Sequence, residues 1–145
     1  MMDAAARIRL SEHAFVYDLD SSFLTDGFLG RLRPYRGLDE DCFHDLMATL
    51  HALADEFASP RIDRTIIGDA LAICFYARAW GVRPDGMLVA DEVITPEESR
   101  RLAGWIDHIA GALTVLTSSD ATDADELRRL AFADYAADYP GRLNP

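Results

Sequence analysis

The chain is predicted to be an all-α, single-domain bundle of about four to six helices around a central apolar helix. Three observations predict it. Long stretches carry apolar residues at three- and four-residue spacing, the period of one helical face. Between them stand helix-capping and helix-breaking signals. The length, 145 residues with half of them hydrophobic, suits one core without disulfide or metal support. No internal repeat or low-complexity linker divides the chain, so residues 1–145 are expected to form one domain, with 140–145 as a loose C-terminal tail.

Residues before Leu38 are ambiguous. Leu24, Phe28 and Leu32 fit a short helix, while Phe15, Tyr17 and Leu19 alternate like a strand. The first clear helix follows Asp39, a natural N-cap, with Glu40 and Asp41 at the positive end of the helix dipole. Its apolar face comprises Phe43, Leu46, Met47, Leu50, Leu53, Ala54 and Phe57. Ser59-Pro60 closes it and opens a second helix, expected from Pro60 to Trp80. That segment is apolar on nearly all sides, so it is expected to be the central helix, with Ile67, Leu71, Cys74 and Phe75 buried and Gly81 as its C-cap.

Arg83-Pro84-Asp85-Gly86 reads as a turn. A third helix starts at Thr95-Pro96-Glu97-Glu98, a capping box with proline in the first turn. Its inner face is Leu102, Trp105, Ile106, Ile109, Ala110, Leu113 and Leu116, and Glu97 and Arg101 are spaced for an outer ion pair. Ser118-Ser119-Asp120 ends it, and a last helix is expected from Thr122 to Tyr139, stopped by Pro140 and Gly141.

The charge bounds the function. Twenty-five acids against fourteen basic residues, all arginine, give a net charge of −11. Such a chain repels phosphates, which argues against nucleic acid and against anionic membrane surfaces, and steers basic protein partners toward it. The absence of lysine excludes a Schiff base or a P-loop lysine. Cys42 and Cys74 lack CxxC spacing and are expected to be buried free thiols. The N-terminus lacks the apolar centre of a signal peptide, and no apolar run reaches membrane-spanning length, so a cytoplasmic location is expected.

Two short motifs carry partial resemblances. FVYDLDSSFLTDG, residues 15–27, resembles the first motif of haloacid-dehalogenase-type phosphatases, with Asp18, Asp20 and Ser22 at the matching positions. The resemblance implies an aspartate nucleophile and an aspartate acid–base near Mg²⁺. LTVLTSS mimics that family's second motif. The family needs a parallel sheet, whereas the later segments here have helical period, and its usual lysine is missing. GVRPDGMLVADE, residues 81–92, resembles a calcium-binding EF-hand loop, with Gly86, Leu88 and Glu92 in register. Gly81 and Arg83 stand where the motif needs oxygen donors, so no metal site is expected. The loop reads instead as a connection pinned by Met87, Leu88, Val93 and Ile94.

No other catalytic constellation emerges. His44 and His51 lie two turns apart on one helix and read as half-exposed, as do His13 and His108. Asp69, alone in an apolar helix, is expected to pair with Arg33, Arg36 or Arg78. No cofactor and no catalytic residue is assigned. The acids cluster where helices begin: Asp39, Glu40, Asp41 and Asp45 in one block, Asp85, Asp91 and Glu92 in another, with no arginine inside either. These seven residues are the expected partner-binding face. The expectation is a non-enzymatic, bacterial-type interaction domain, as an immunity protein, antitoxin or small regulator is, binding a basic protein such as a toxin or effector. Two alternatives stand beside it: a phosphoester hydrolase using Asp18 and Asp20, and an assembly subunit that forms a homodimer.

Overall fold

The computed structural model describes residues 3–15 and 26–143. Among them are eight helices and no strand; the only β pairing is an isolated bridge between Leu32 and Tyr35. In chain order the helices are α1 (Ala4–Ala14), α2 (Glu40–Ala52), α3 (Ala54–Ala58), α4 (Arg64–Gly81), α5 (Met87–Ala90), α6 (Pro96–Ser118), α7 (Ala124–Ala131) and α8 (Ala133–Asp138). The fold is all-α, a compact helical bundle, as the periodicity predicts.

Capping accounts for the long helices. Asp3, Asp39, Asp63 and Asp123 each accept a hydrogen bond from a first-turn amide. The capping box at Thr95 and Glu98 forms as expected, with both reciprocal bonds in place. The helix expected to run unbroken past Leu53 pauses there, and the last helix pauses at Phe132; both residues are buried.

Side-chain pairs define the directions. Arg9 and His13 of α1 reach Asp45 of α2, and His13 also approaches Cys42, so α1 and α2 run antiparallel. Arg7 reaches Asp63 and Ser11 reaches Asp69, so α1 and α4 run parallel. Arg78 of α4 reaches Asp107 of α6, while Ile67 and Leu71 share a groove with Leu113 and Thr117, so α4 and α6 are antiparallel. Phe43 stacks on Trp105 with centroids 4.9 Å apart. Phe57 of α3 lies toward the far end of α6, so α2 and α6 are parallel. The resulting ring is α1, α2, α6, α4, with α7 packing on α3 and α6 from outside and α8 reaching α2 through Tyr135.

The helix expected to be central is therefore not the most buried one. In α2, Cys42, Phe43, His44, Leu46, Met47, Thr49 and Leu50 are buried. α4 starts at Arg64 rather than Pro60 and buries only the stripe of Ile66, Ala70, Ile73, Ala77 and Gly81. Leu71 is 63% exposed and Phe75 62% exposed, and Ile67 and Cys74 are only half-buried. α4 stands at the edge of the ring, with one apolar side uncovered. Gly81 is not a cap either. A Cβ there would lie 2.5 Å from Leu102 Cδ2, so its smallness permits the close α4–α6 crossing.

Segment 26–38 forms a strap across the end of the bundle where α2 and α6 begin. Phe28, Leu29 and Leu32 are buried under it, Tyr35 donates to Glu98 at 2.8 Å, and the Arg33 guanidinium lies 5.8 Å over the Trp80 ring. A Cβ at Gly27 would meet the Glu12 carbonyl oxygen at 2.1 Å, so only glycine lets the strap pass this close to α1.

Candidate functional site

Two clusters of polar side chains lie against α2, and the expected acidic face lies at its start. The first cluster centres on His13, fully buried on the inner face of α1 below Ala6 and Leu10. Its Nδ1 accepts from the Phe28 amide at 3.0 Å, which places the ring proton on Nε2. Nε2 then donates to Asp45 Oδ2 at 2.8 Å. Arg9 donates to the same oxygen at 2.6 Å and to Glu12 at 3.0 Å. Burial pulls His13 below its ordinary pKa, against the opposing pull of Asp45. Asp45 is held down at about 2, chiefly by the His13 bond and then by Arg9. The pair is a neutral imidazole beside a carboxylate.

Cys42 Sγ lies 3.9 Å from His13 Nδ1, so Cys42, His13 and Asp45 have the order of a thiol–imidazole–carboxylate triad. The chemistry does not follow the order. Nδ1 already holds the Phe28 amide proton, so it has no lone pair free to accept from the thiol. Burial, with Asp39 adding to it, pushes Cys42 up to about 12. The arrangement is a staple that closes the strap onto α1 and α2.

The second cluster lies between α2, α6 and α8. His44 Nδ1 and Tyr135 Oη are 2.6 Å apart, and burial pushes the Tyr135 hydroxyl up to about 12. The Trp105 indole donates to Tyr139 Oη at 3.3 Å, and His108 Nε2 meets Asp138 at 2.9 Å. His44 Nε2 is buried without a hydrogen-bond partner, since Glu40 Oε1 is 4.0 Å away, beyond hydrogen-bond length. Burial, then Arg142, lowers the His44 pKa, so the ring is neutral.

The histidines expected to be half-exposed thus divide. His13 and His44 are buried, and only their partners in space reveal it. Asp69 also finds another partner than expected: Ser11 donates to it at 2.8 Å, and burial raises its pKa. Cys42 is a buried free thiol as expected, while Cys74 is half-buried. Asp18 and Asp20 lie outside the described residues. Among the described residues, no three histidine, cysteine or acidic side chains gather as a metal-binding group.

The seven acids of the expected face separate by environment. Asp39 caps α2 and pairs with Arg31 at 3.1 Å. Asp45 is held by His13 and Arg9. Asp85 pairs with its neighbour Arg83 at 2.9 Å. Glu40 and Asp41 are exposed in the first turn of α2, and Arg142 approaches Asp41 only to 4.0 Å. Asp91 and Glu92 are exposed in the connection to α6, Glu92 with a positive φ of 57°. Of the residues expected to pin that connection, Leu88 and Ile94 are buried and Val93 is exposed. Because α2 and α6 are parallel, both acidic blocks lie at one end of the bundle, with the strap and its Arg31, Arg33 and Arg36 between them.

No family model, no curated protein and no solved structure matches this chain.

Proposed function

We propose that the chain is a non-enzymatic protein-interaction domain, of the kind an immunity protein, an antitoxin or a small regulator represents. Its partner is a basic protein, bound at the end of the bundle where α2 and α6 start. The observation that carries this reading is the common direction of those two helices. It gathers Glu40 and Asp41 with Asp91 and Glu92 at one pole, all exposed, in a chain whose net charge is −11. Asp39, Asp45 and Asp85 are engaged with arginine or histidine inside the molecule and set the background potential rather than the contact. The same pole offers the strap arginines, which give a partner's own acids a place to register.

The polar clusters support the binding reading over an enzymatic one. The His13 staple has its ring nitrogens committed to Phe28 and Asp45, and the Cys42 thiol is held protonated.

The test is capture from the native host at low salt, followed by binding kinetics with the partner obtained. Association should slow steeply as salt rises through the physiological range, where the screening length is about 8 Å. Reversing Glu40, Asp41 and Asp91 to arginine should weaken binding at least about tenfold and leave the melting temperature nearly unchanged, since exposed charges contribute little to stability. Binding indifferent to both salt and these reversals removes the acidic pole from the account.

A further inference from the structure

The uncovered side of α4 calls for an occupant. Its outward stripe is Arg64, Gly68, Leu71, Phe75 and Arg78, all exposed. An apolar groove runs alongside it, lined by Ile67, Leu71 and Cys74 of α4 and by Leu113, Thr114 and Thr117 of α6. Two large hydrophobic side chains more than three-fifths exposed on adjacent turns of one helix form an interaction patch rather than scattered surface.

The stripe is complementary to itself. If α4 meets a second α4 antiparallel, centred between Leu71 and Ala72, position 75 of one copy faces position 68 of the other. The exposed Phe75 ring then stands over Gly68, where nothing lies within 4 Å of a Cβ. A large side chain meets a vacant glycine, twice, related by the two-fold axis. Leu71 packs near its own copy at the centre. An isologous contact of this kind requires such a self-complementary patch.

The charges agree. A chain of −11 repels its copies over most of its surface. This stripe carries two arginines and no acid; Asp63 and Asp69 of the same helix are held by Arg7 and Ser11 of α1. In the antiparallel pairing Arg64 faces position 79 of the other copy, beside the Arg78–Asp107 pair. That pair is 3.3 Å long, and the Asp107 side chain is 77% exposed, so it retains an oxygen for a second cation. Arg64 has no ion pair among the described residues and supplies one. The groove brings α6 to the contact as well, so each copy contributes two helices to a four-helix junction, the scale on which about 800 Å² per partner is reached.

We infer that the chain forms a two-fold homodimer through α4, with Phe75 of each copy seated over Gly68 of the other and Arg64 paired across the interface with Asp107. The inference concerns a different face from the acidic pole and stands whether or not that pole binds a basic partner.

The experiment is sedimentation velocity on the full chain up to about 100 μM, with circular dichroism to verify folding. The wild type should sediment as a species of twice the 16.1 kDa chain mass. Phe75→Glu should weaken the dimer at least about 100-fold, because it places a charge in an apolar contact. Gly68→Leu should weaken it about tenfold by occupying the space that Phe75 of the other copy takes, while leaving the isolated chain as helical as before or more so, since the added side chain meets open space. Arg64→Glu should weaken it, and adding Asp107→Arg should restore it, which only charges facing each other across the interface would do. A wild type that is monomeric at the highest concentration overturns the inference and leaves the stripe to another protein. A dimer indifferent to both Phe75→Glu and Gly68→Leu also overturns it, because that dimer uses another face.

Discussion

α2 and α4 invert what their sequences suggest. α4 is the more apolar of the two, yet its outer stripe stands in solvent. α2 carries Glu40, Asp41, His44, Asp45 and His51 among its apolar residues, yet it buries the larger share of its residues. The difference lies in how the polar groups are arranged. In α2 they have partners waiting: Asp45 meets His13 and Arg9, and His44 meets Tyr135. A helix can bury most of its residues when most of its polar side chains are answered by its neighbours, as all but His44 Nε2 of the buried ones are here. Apolarity all round is a statement about which surfaces a helix could bury, and not about which ones its own chain covers.

Truncation sets the two helices furthest apart. Leu50→Ala in α2 removes a fully buried side chain and should cost about 3–5 kcal/mol in urea unfolding. A cost below about 1 kcal/mol would mean that this face of α2 is not part of the core. Removing the staple comes next. His13→Ala leaves the buried Phe28 amide without its acceptor and Asp45 without its imidazole donor, and should cost about 2–3 kcal/mol. Hydrogen exchange of Phe28 and Leu29 should accelerate more than that of the α6 core.

Acid sharpens the comparison without mutation. His13, His44 and His51 all have pKa values lowered chiefly by burial, so the folded chain refuses protons that the unfolded chain accepts near pH 6.5. Their contribution is fully present above that pH and is lost as pH falls through the folded values. Asp45, held at about 2, adds a further loss below about pH 4. The urea midpoint should therefore be flat from pH 8 to about 7 and decline below about pH 6.5, with a shallower decline in His13→Gln. A midpoint that rises on acidification would contradict a neutral His13. The smallest effect belongs to α4. Leu71→Ala, measured at a concentration where sedimentation finds the chain monomeric, should change unfolding by less than about 0.5 kcal/mol, a tenth or so of the Leu50 effect.

What was legible in the sequence followed from local chemistry. The capping box at Thr95 and most of the inner face of α6 are visible because cap and periodicity are written in consecutive residues; of the expected face Ala110 and Leu113 are only half-buried, and Ala112 is buried instead. The start of α2 at Asp39 is visible for the same reason. The exposed side of α4 was illegible because the pattern reports burial potential without saying which neighbours exist. The two buried histidines were illegible because their partners lie 32 residues away for His13 and 91 for His44. A signal did exist: His13 continues the stripe of Ala6 and Leu10, and a histidine on an apolar helical face needs a polar partner in the core. The two acidic blocks were legible as blocks. Their common pole depends on α2 and α6 running parallel, which no local pattern encodes.

The two tryptophans give the molecule a pair of built-in optical probes for different places. Trp105 is sealed between Phe43 and Phe28 with its indole N–H on Tyr139, so its emission should be blue and should report on the packing of the bundle interior. Trp80 is half-buried under the Arg33 guanidinium and beside Tyr76, so its emission should be redder and partly quenched. Lifting the strap would take Arg33 off Trp80 and Phe28 off Trp105, so both emissions would change. A Trp80→Phe chain would report the loss of Phe28 from Trp105, and a Trp105→Phe chain the loss of Arg33 from Trp80, so the two ends of the strap can be followed separately with no label attached.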